Sequence, residues 1–147
     1  MPAPSTTELI GELEALKETE LTSSGTWSPF KVFSHLAQSV ECSMSGYPVM
    51  KPALFRSTVG ALVFFVFRTA GAMRHGLAEP VPGAPEIAES GPSKAAIEHL
   101  IAALKSFDAH RGEFKPHFAY GNLSKADYAA AHVMHVRNHL TEIRAAD

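Results

Sequence analysis

HVMHVRNH, residues 132–139, puts three of the chain's eight histidines within eight positions. The surrounding pattern is helical: Val133, Val136, Leu140 and Ile143 form an apolar stripe, and His132, His135 and His139 run beside it, continued by Glu142. With a rise of about 1.5 Å per residue, His135 and His139 share a face about 6 Å apart along the axis. An i, i+4 pair so placed can converge on one metal ion, as the histidines of an HExxH helix do. His132 shares the face but stands about 10 Å from His139, so the three cannot all bind one ion. His132–His135 and His135–His139 are therefore rival pairs, and a third ligand has to come from elsewhere. Solvated or hydrogen-bonded core histidines are the alternative reading. Whichever holds, the stretch belongs to a helix expected from about Lys125 to Arg144, with its histidines at the edge of a helix–helix interface, where a bundle can build a metal site.

Moving outward, Ser124 is an N-cap for that helix, and an aromatic loop, Pro116-His117-Phe118-Ala119-Tyr120-Gly121-Asn122-Leu123, leads into it. A helix is expected from Ser93 to near Gly112, with Ile97, Leu100, Ile101, Leu104 and Phe107 inward and His99 and His110 at the surface. Residues 75–92 are too rich in glycine and proline for continuous helix, and a loop of that length is expected to be a lid or a crossover. Leu54 to about Met73 is the most apolar stretch, expected as a helix buried on most sides. Arg56 and Arg68 bracket too few residues for a membrane span, and Arg68 is expected to find a carboxylate, a carbonyl or an anion near the core. Ser28-Pro29 opens a helix running to about Ser45, whose stripe is Phe33, Leu36, Ala37, Val40 and Met44. His35 borders that stripe with Gln38, Ser39 and Cys42 on its own face; a structural histidine and a small buried cysteine are the plain readings. Ser5-Thr6-Thr7-Glu8 is a capping box for a first helix with Leu9, Ile10, Leu13, Leu16 and Leu21 along one side, ending before Thr22-Ser23-Ser24-Gly25.

Composition sets the frame around these elements. A chain of 147 residues, 46% apolar, is long enough for one domain, expected over 1–147, with its own core. A net charge of −2 with scattered Lys and Arg lacks the basic stripe of a nucleic-acid binder. The single cysteine excludes an internal disulfide and any CxxC motif. The opening residues lack the basic and apolar regions of a signal peptide, so the expected compartment is the cytoplasm, with no membrane partner.

One histidine on the second helix and a His-x3-His pair on the last of five helices resemble the layout of the DinB-like (DinB/YfiT) superfamily. Trp27, VFSHLAQSVECSMSGYP at 32–48, PVPGAP at 80–85 and HVRNHL at 135–140 are similar to one branch of it, and the resemblance covers nearly the whole chain. It implies an all-α, up-down-down-up four-helix bundle with one additional helix, assembled as a homodimer. It also implies a divalent ion, zinc or nickel, held by His35, His135 and His139, which places His132 behind those ligands or in the pocket beside them. Many members follow the final histidine with Gly-Gln or Arg-Gln, whereas this chain has Leu140-Thr141-Glu142. Glu142 is placed to orient a ligand, bind the ion or face solvent.

Three neutral imidazoles leave a divalent ion with an open position, as in catalytic zinc sites. Water bound there has a pKa near about 7, and a bound thiol is held as thiolate. Characterised DinB-like enzymes depend on a low-molecular-weight thiol. The resemblance thus implies a metal-dependent, thiol-dependent transferase or hydrolase acting on a small electrophilic molecule. Gln38, Ser39, His132 and Glu142 are expected to line the pocket, and the 75–92 loop to cover it. The alternatives are a non-catalytic metal-binding or stress-response dimer and a metal-free helical dimerisation module.

Overall fold

The computed structural model describes residues 5–147. Five helices, α1 (Thr6–Leu16), α2 (Pro29–Ser45), α3 (Ala53–Ala70), α4 (Ser93–Ala109) and α5 (Lys125–Leu140), are joined by two short strands, β1 (Leu21–Ser23) and β2 (Ile143–Ala145). Three of the helices begin at the serines that the sequence marks. Ser5 Oγ accepts from the Glu8 amide, Ser28 Oγ from Lys31 and Ser124 Oγ from Asp127, at 3.3, 3.2 and 3.1 Å. Each such cap is worth about 1 kcal/mol.

The most extensive pairing is α2 against α4, where Phe33, Leu36 and Val40 meet Ile97, Leu100 and Leu104 in the core. α1 adds Leu9 and Leu13 against α4, both fully buried. α5 closes the core with Tyr128, Val133 and Val136. Cys42 is a buried free thiol, and burial raises its pKa. It packs as a small apolar residue.

Two findings correct the expected all-α, up-down-down-up four-helix bundle with one additional helix. The first is an antiparallel sheet: β1 pairs with β2, with Leu21 opposite Ala145, Thr22 opposite Arg144 and Ser23 opposite Ile143. The last helix therefore stops at Leu140 and not near Arg144. Its end tightens, Glu142 N donating to the His139 carbonyl at 3.1 Å, and the chain leaves as a strand. Ile143 and Leu21, both of which fit a helical stripe in the sequence, instead belong to the ribbon. A two-stranded ribbon is marginal alone. Here Ile143 is 8% exposed and joins the core, so the ribbon is anchored.

The second correction concerns α3, expected to be buried on most sides. Of its residues only Gly60 and Phe64 are buried, while Leu54, Leu62, Phe65 and Val66 are 75, 63, 65 and 54% exposed. Apolar content says that a helix has a face to bury, not that a neighbour exists. α3 packs on α5 and on the turn at 117–121. There Gly60 meets the Ala119 carbonyl with no room for a Cβ. A π turn at Arg56–Gly60 carries the helix across that contact. Gly71, at φ +74°, ends it as a left-handed cap. Arg68 pairs with Asp127 at 3.6 Å in a partly exposed contact. Its 18 residues make α3 long and apolar enough to cross a membrane, by length and composition.

Candidate metal centre

The placement of α2 beside α5 brings His35, His135 and His139 together. One ring nitrogen from each lies within 4.8 Å of the others, and this triad could hold a metal ion. His35 Nε2 and His135 Nε2 are 3.3 Å apart. Two nitrogens at 2.0–2.1 Å from a tetrahedral zinc are separated by about 3.3–3.4 Å, so the gap matches one edge of such a site. His139 is fully buried, and neither of its ring nitrogens has a hydrogen-bond partner; His35 Nδ1 is also orphaned. An unpaired buried polar group costs about 1–3 kcal/mol. An ion between the three rings would satisfy one nitrogen of each.

Burial lowers the pKa of all three, to about 4 for His35, to about 3 for His139 and well below the ordinary value for His135. Repulsion among the histidines adds to this. The imidazoles are therefore neutral at physiological pH and have lone pairs to offer. Trp27 holds the arrangement: its ring meets His35 edge-on at 5.1 Å and lies nearly parallel to His139 at 6.3 Å.

His35 and His135 also form part of the wall of a cavity of about 150 Å³. Ser39, Tyr47, Ala131 and His132 line its inner side, and the turn His117 to Tyr120 lines another. Met73, His75 and Glu79 to Val81 close it from the long loop. Two of the four expected pocket residues, Ser39 and His132, are in this lining. His132 Nε2 lies 3.1 Å from Ser43 Oγ, and burial lowers its pKa to about 3. Gln38 instead donates to the Pro85 carbonyl at 3.2 Å, tying down the loop. Glu142 folds over Gly25, where its carboxylate takes the space a Cβ would need.

Two histidines that the sequence did not single out join the site. His75 sits with its ring 5.0 Å from that of His135 and 5.8 Å from that of His139, although it is 60 residues before one and 64 before the other. His117 faces the cavity from the aromatic loop. Neither has a periodic neighbour, so no spacing rule could find them; a count of histidines outside regular helix was the available signal.

A helical protein with three converging imidazoles, two of them in the wall of a small cavity, is the class that fold and site define. Residues 3–146 match the family described as "Protein of unknown function (DUF1569)", and the chain belongs to that family. No curated protein and no solved structure matches it.

Proposed function

We propose that the protein binds one divalent ion, zinc or nickel, through His35, His135 and His139. It then acts as a metal-dependent, thiol-dependent transferase or hydrolase on a small electrophilic molecule. The observation that carries this reading is His139, a fully buried imidazole with both nitrogens unpaired, facing two further neutral imidazoles. The resemblance to the DinB-like superfamily supports it. When bound, a divalent ion lowers the pKa of water or of a thiol and so supplies a nucleophile at neutral pH. The chain's own part is to keep the imidazoles neutral by burial, to orient two of them against Trp27, and to leave a cavity beside His35 and His135. Met73 and Val81, both buried, exclude water from one side of that cavity, and Gln38 anchors the loop at Pro85.

The test is metal content by mass spectrometry of untagged protein, beside His35→Ala and His139→Ala variants checked by circular dichroism. Near-stoichiometric zinc or nickel, lost in both folded variants, is the expected result. Wild-type protein that carries no metal and takes up none when offered zinc or nickel overturns the reading.

His75 supports a second reading, a closed and non-catalytic site. Its Nδ1 lies 2.8 Å from the Gly76 carbonyl, which leaves the lone pair of Nε2 unused. His75 stands outside the triad's cluster, but its ring is 5.0 Å from that of His135, so a shift of the loop would bring Nε2 in as a fourth donor. In that case His75→Ala weakens metal binding, whereas under the first reading it leaves binding intact.

The partner we propose for α3 is a second copy of the chain, with Leu62, Phe65 and Val66 at the centre of a two-fold interface. Analytical ultracentrifugation of the wild type and Phe65→Glu tests this. A wild-type monomer, or a protein that partitions onto neutral phospholipid vesicles through α3, counts against it.

A further inference from the structure

We propose that His117 is a ligand-binding residue. Its Nε2–H would donate to a neutral carbonyl-type oxygen of a small molecule held between it and the histidine triad. This rests on the proposed metal reading and adds to it the polarity of the substrate.

The argument starts from the other nitrogen of the ring. His117 Nδ1 accepts from two backbone amides, Ala119 N and Tyr120 N, both at 3.1 Å. A nitrogen that accepts two N–H groups cannot carry a proton, so the neutral ring is fixed as the Nε2–H tautomer. Nε2 makes no hydrogen bond to any described residue, and His117 lines the cavity that His35 and His135 also line. His117, with Nε2 as its fixed and unused donor, thus shares the wall of one cavity with two of the candidate metal ligands, His35 and His135.

The ring is also held rigidly. His117 N donates to the Gly121 carbonyl at 2.8 Å, and Gly121 N returns a bond to His117 O at 3.2 Å. Lys51 N donates to the Phe118 carbonyl at 2.9 Å, and Tyr120 stacks on the imidazole at 4.2 Å with the planes 9° apart. Gly121 has φ +80°, which suits glycine and lets the turn close. Gly60 leaves α3 close enough to support it from outside. Burial, with His132 nearby, lowers the His117 pKa to about 3, so the ring does not become a cation near pH 7.

The cavity lining contains no Lys or Arg and includes Glu79. A carboxylate or phosphate group on the ligand would find no countercharge from the chain, so a neutral acceptor such as an amide, ester or ketone oxygen fits better. Tyr47, Phe118 and Met73 offer apolar surface for the rest of the molecule.

His117→Asn separates the two functions of the ring, because Asn Oδ1 can still accept from the amides two and three residues on while the Nε2 donor is lost. The probes are 3-mercaptopropionamide and propanethiol, which share a thiol on an ethylene stem and differ at the far end, a carboxamide against a methyl group. Binding to cobalt-loaded protein is read from the thiolate-to-cobalt absorption band. In the wild type the amide thiol binds about fivefold tighter, the worth of one hydrogen bond. In folded His117→Asn the ratio falls to about one, again on the worth of that one bond. Equal affinities in the wild type, or a ratio unchanged in the variant, overturn the proposal.

Nitrogen-15 NMR of the metal-free protein provides a readout that needs no ion. His117 is expected as the Nε2–H tautomer from pH 5 to 8, its Nε2 signal shifting when propionamide is added. The Nδ1–H tautomer, or no shift at saturating propionamide, sinks the idea. Failure to take up cobalt would instead overturn the metal reading and leave the NMR result to decide on His117.

Discussion

α3 and α5 are inverted with respect to each other. α3 has the most apolar sequence in the chain yet shows most of its surface to solvent. α5 carries three histidines yet buries His132 and His139 almost completely. A helix built only for stability places apolar groups inside and polar groups outside. Neither of these does so: α3 leaves an apolar outer face uncovered, and α5 leaves both ring nitrogens of His139 unpaired. The proposed dimer and the proposed metal site start from these departures. α1 and α4 follow the ordinary pattern around Leu9 and Leu100, and α2 does so around Leu36 while also burying His35, Ser39 and Ser43. The main core is built on those three and closed by Tyr128, Val133 and Val136 of α5, whereas α3 packs outside it.

The largest effect on this contrast is expected at His139. Replacing it with Leu abolishes metal retention, since one of three donors is gone. It also removes an unpaired buried polar group, so the metal-free variant should be more stable than metal-free wild type by about 1–3 kcal/mol. Urea unfolding of both in a chelator measures this, and a variant less stable than the wild type would show that His139 is satisfied without an ion.

Adjacent residues of α3 provide the next comparison. Phe64 is 7% exposed and packs on Met73, Ala130 and Met134, whereas Phe65 is 65% exposed. Phe64→Ala should cost about 3–5 kcal/mol in the same assay. A much smaller loss would mean that α3 is only loosely seated on α5.

The buried histidines make stability depend on pH. His117 and His132 are lowered to about 3, whereas an unfolded imidazole titrates near about 6.5. Below about 6.5 the unfolded chain takes up protons that the folded chain refuses. Stability therefore falls as the pH drops from about 6.5 toward 3 and is flat above that window, with each histidine contributing about 1.4 kcal/mol per pH unit inside it. His132→Asn should flatten the metal-free unfolding profile between pH 6 and 5 by about one proton. An unchanged slope would mean that His132 titrates normally.

The smallest effect is expected on the outer face of α3. Phe65→Glu should change the stability of the monomer by no more than about 0.5 kcal/mol, while dissociating the proposed dimer. A large loss of monomer stability would place Phe65 inside the chain's own core.

Local chemistry made much of this legible. Ser5, Ser28 and Ser124 announced three helix starts, because a cap is a contact among neighbouring residues. Leu36, Leu100 and Val136 announced buried faces through their periodicity. Spacing narrowed the helix to two rival pairs that share His135, and the resemblance chose His139 over His132 and added His35. The sheet was hidden because β1 and β2 gain their partners across most of the chain, and Ile143 fits a helical stripe as well as a strand. The exposure of α3 was hidden because an apolar helix reads the same whether its partner lies in the same chain or another. His75 and His117 were hidden because loops have no period. Gln38 and Glu142 had the right face or spacing, but side-chain reach took one to the Pro85 carbonyl and the other to Gly25.

The distance in sequence between the clustered imidazoles has a consequence for how the protein is made. His35 is 104 residues ahead of His139. At synthesis rates of about 5–20 residues per second, roughly 5–20 s separate their emergence from the ribosome. Toward the end of that interval α2 and α4 are both available to pair, while the donors on α5 have yet to appear. An ion held by all three imidazoles, as proposed, would therefore bind only after α2 and α4 can pair, unlike the ion of a zinc finger. On that reading loading would follow the pairing of α2 with α4, and it would draw on whichever divalent metal is free in the cell at that moment.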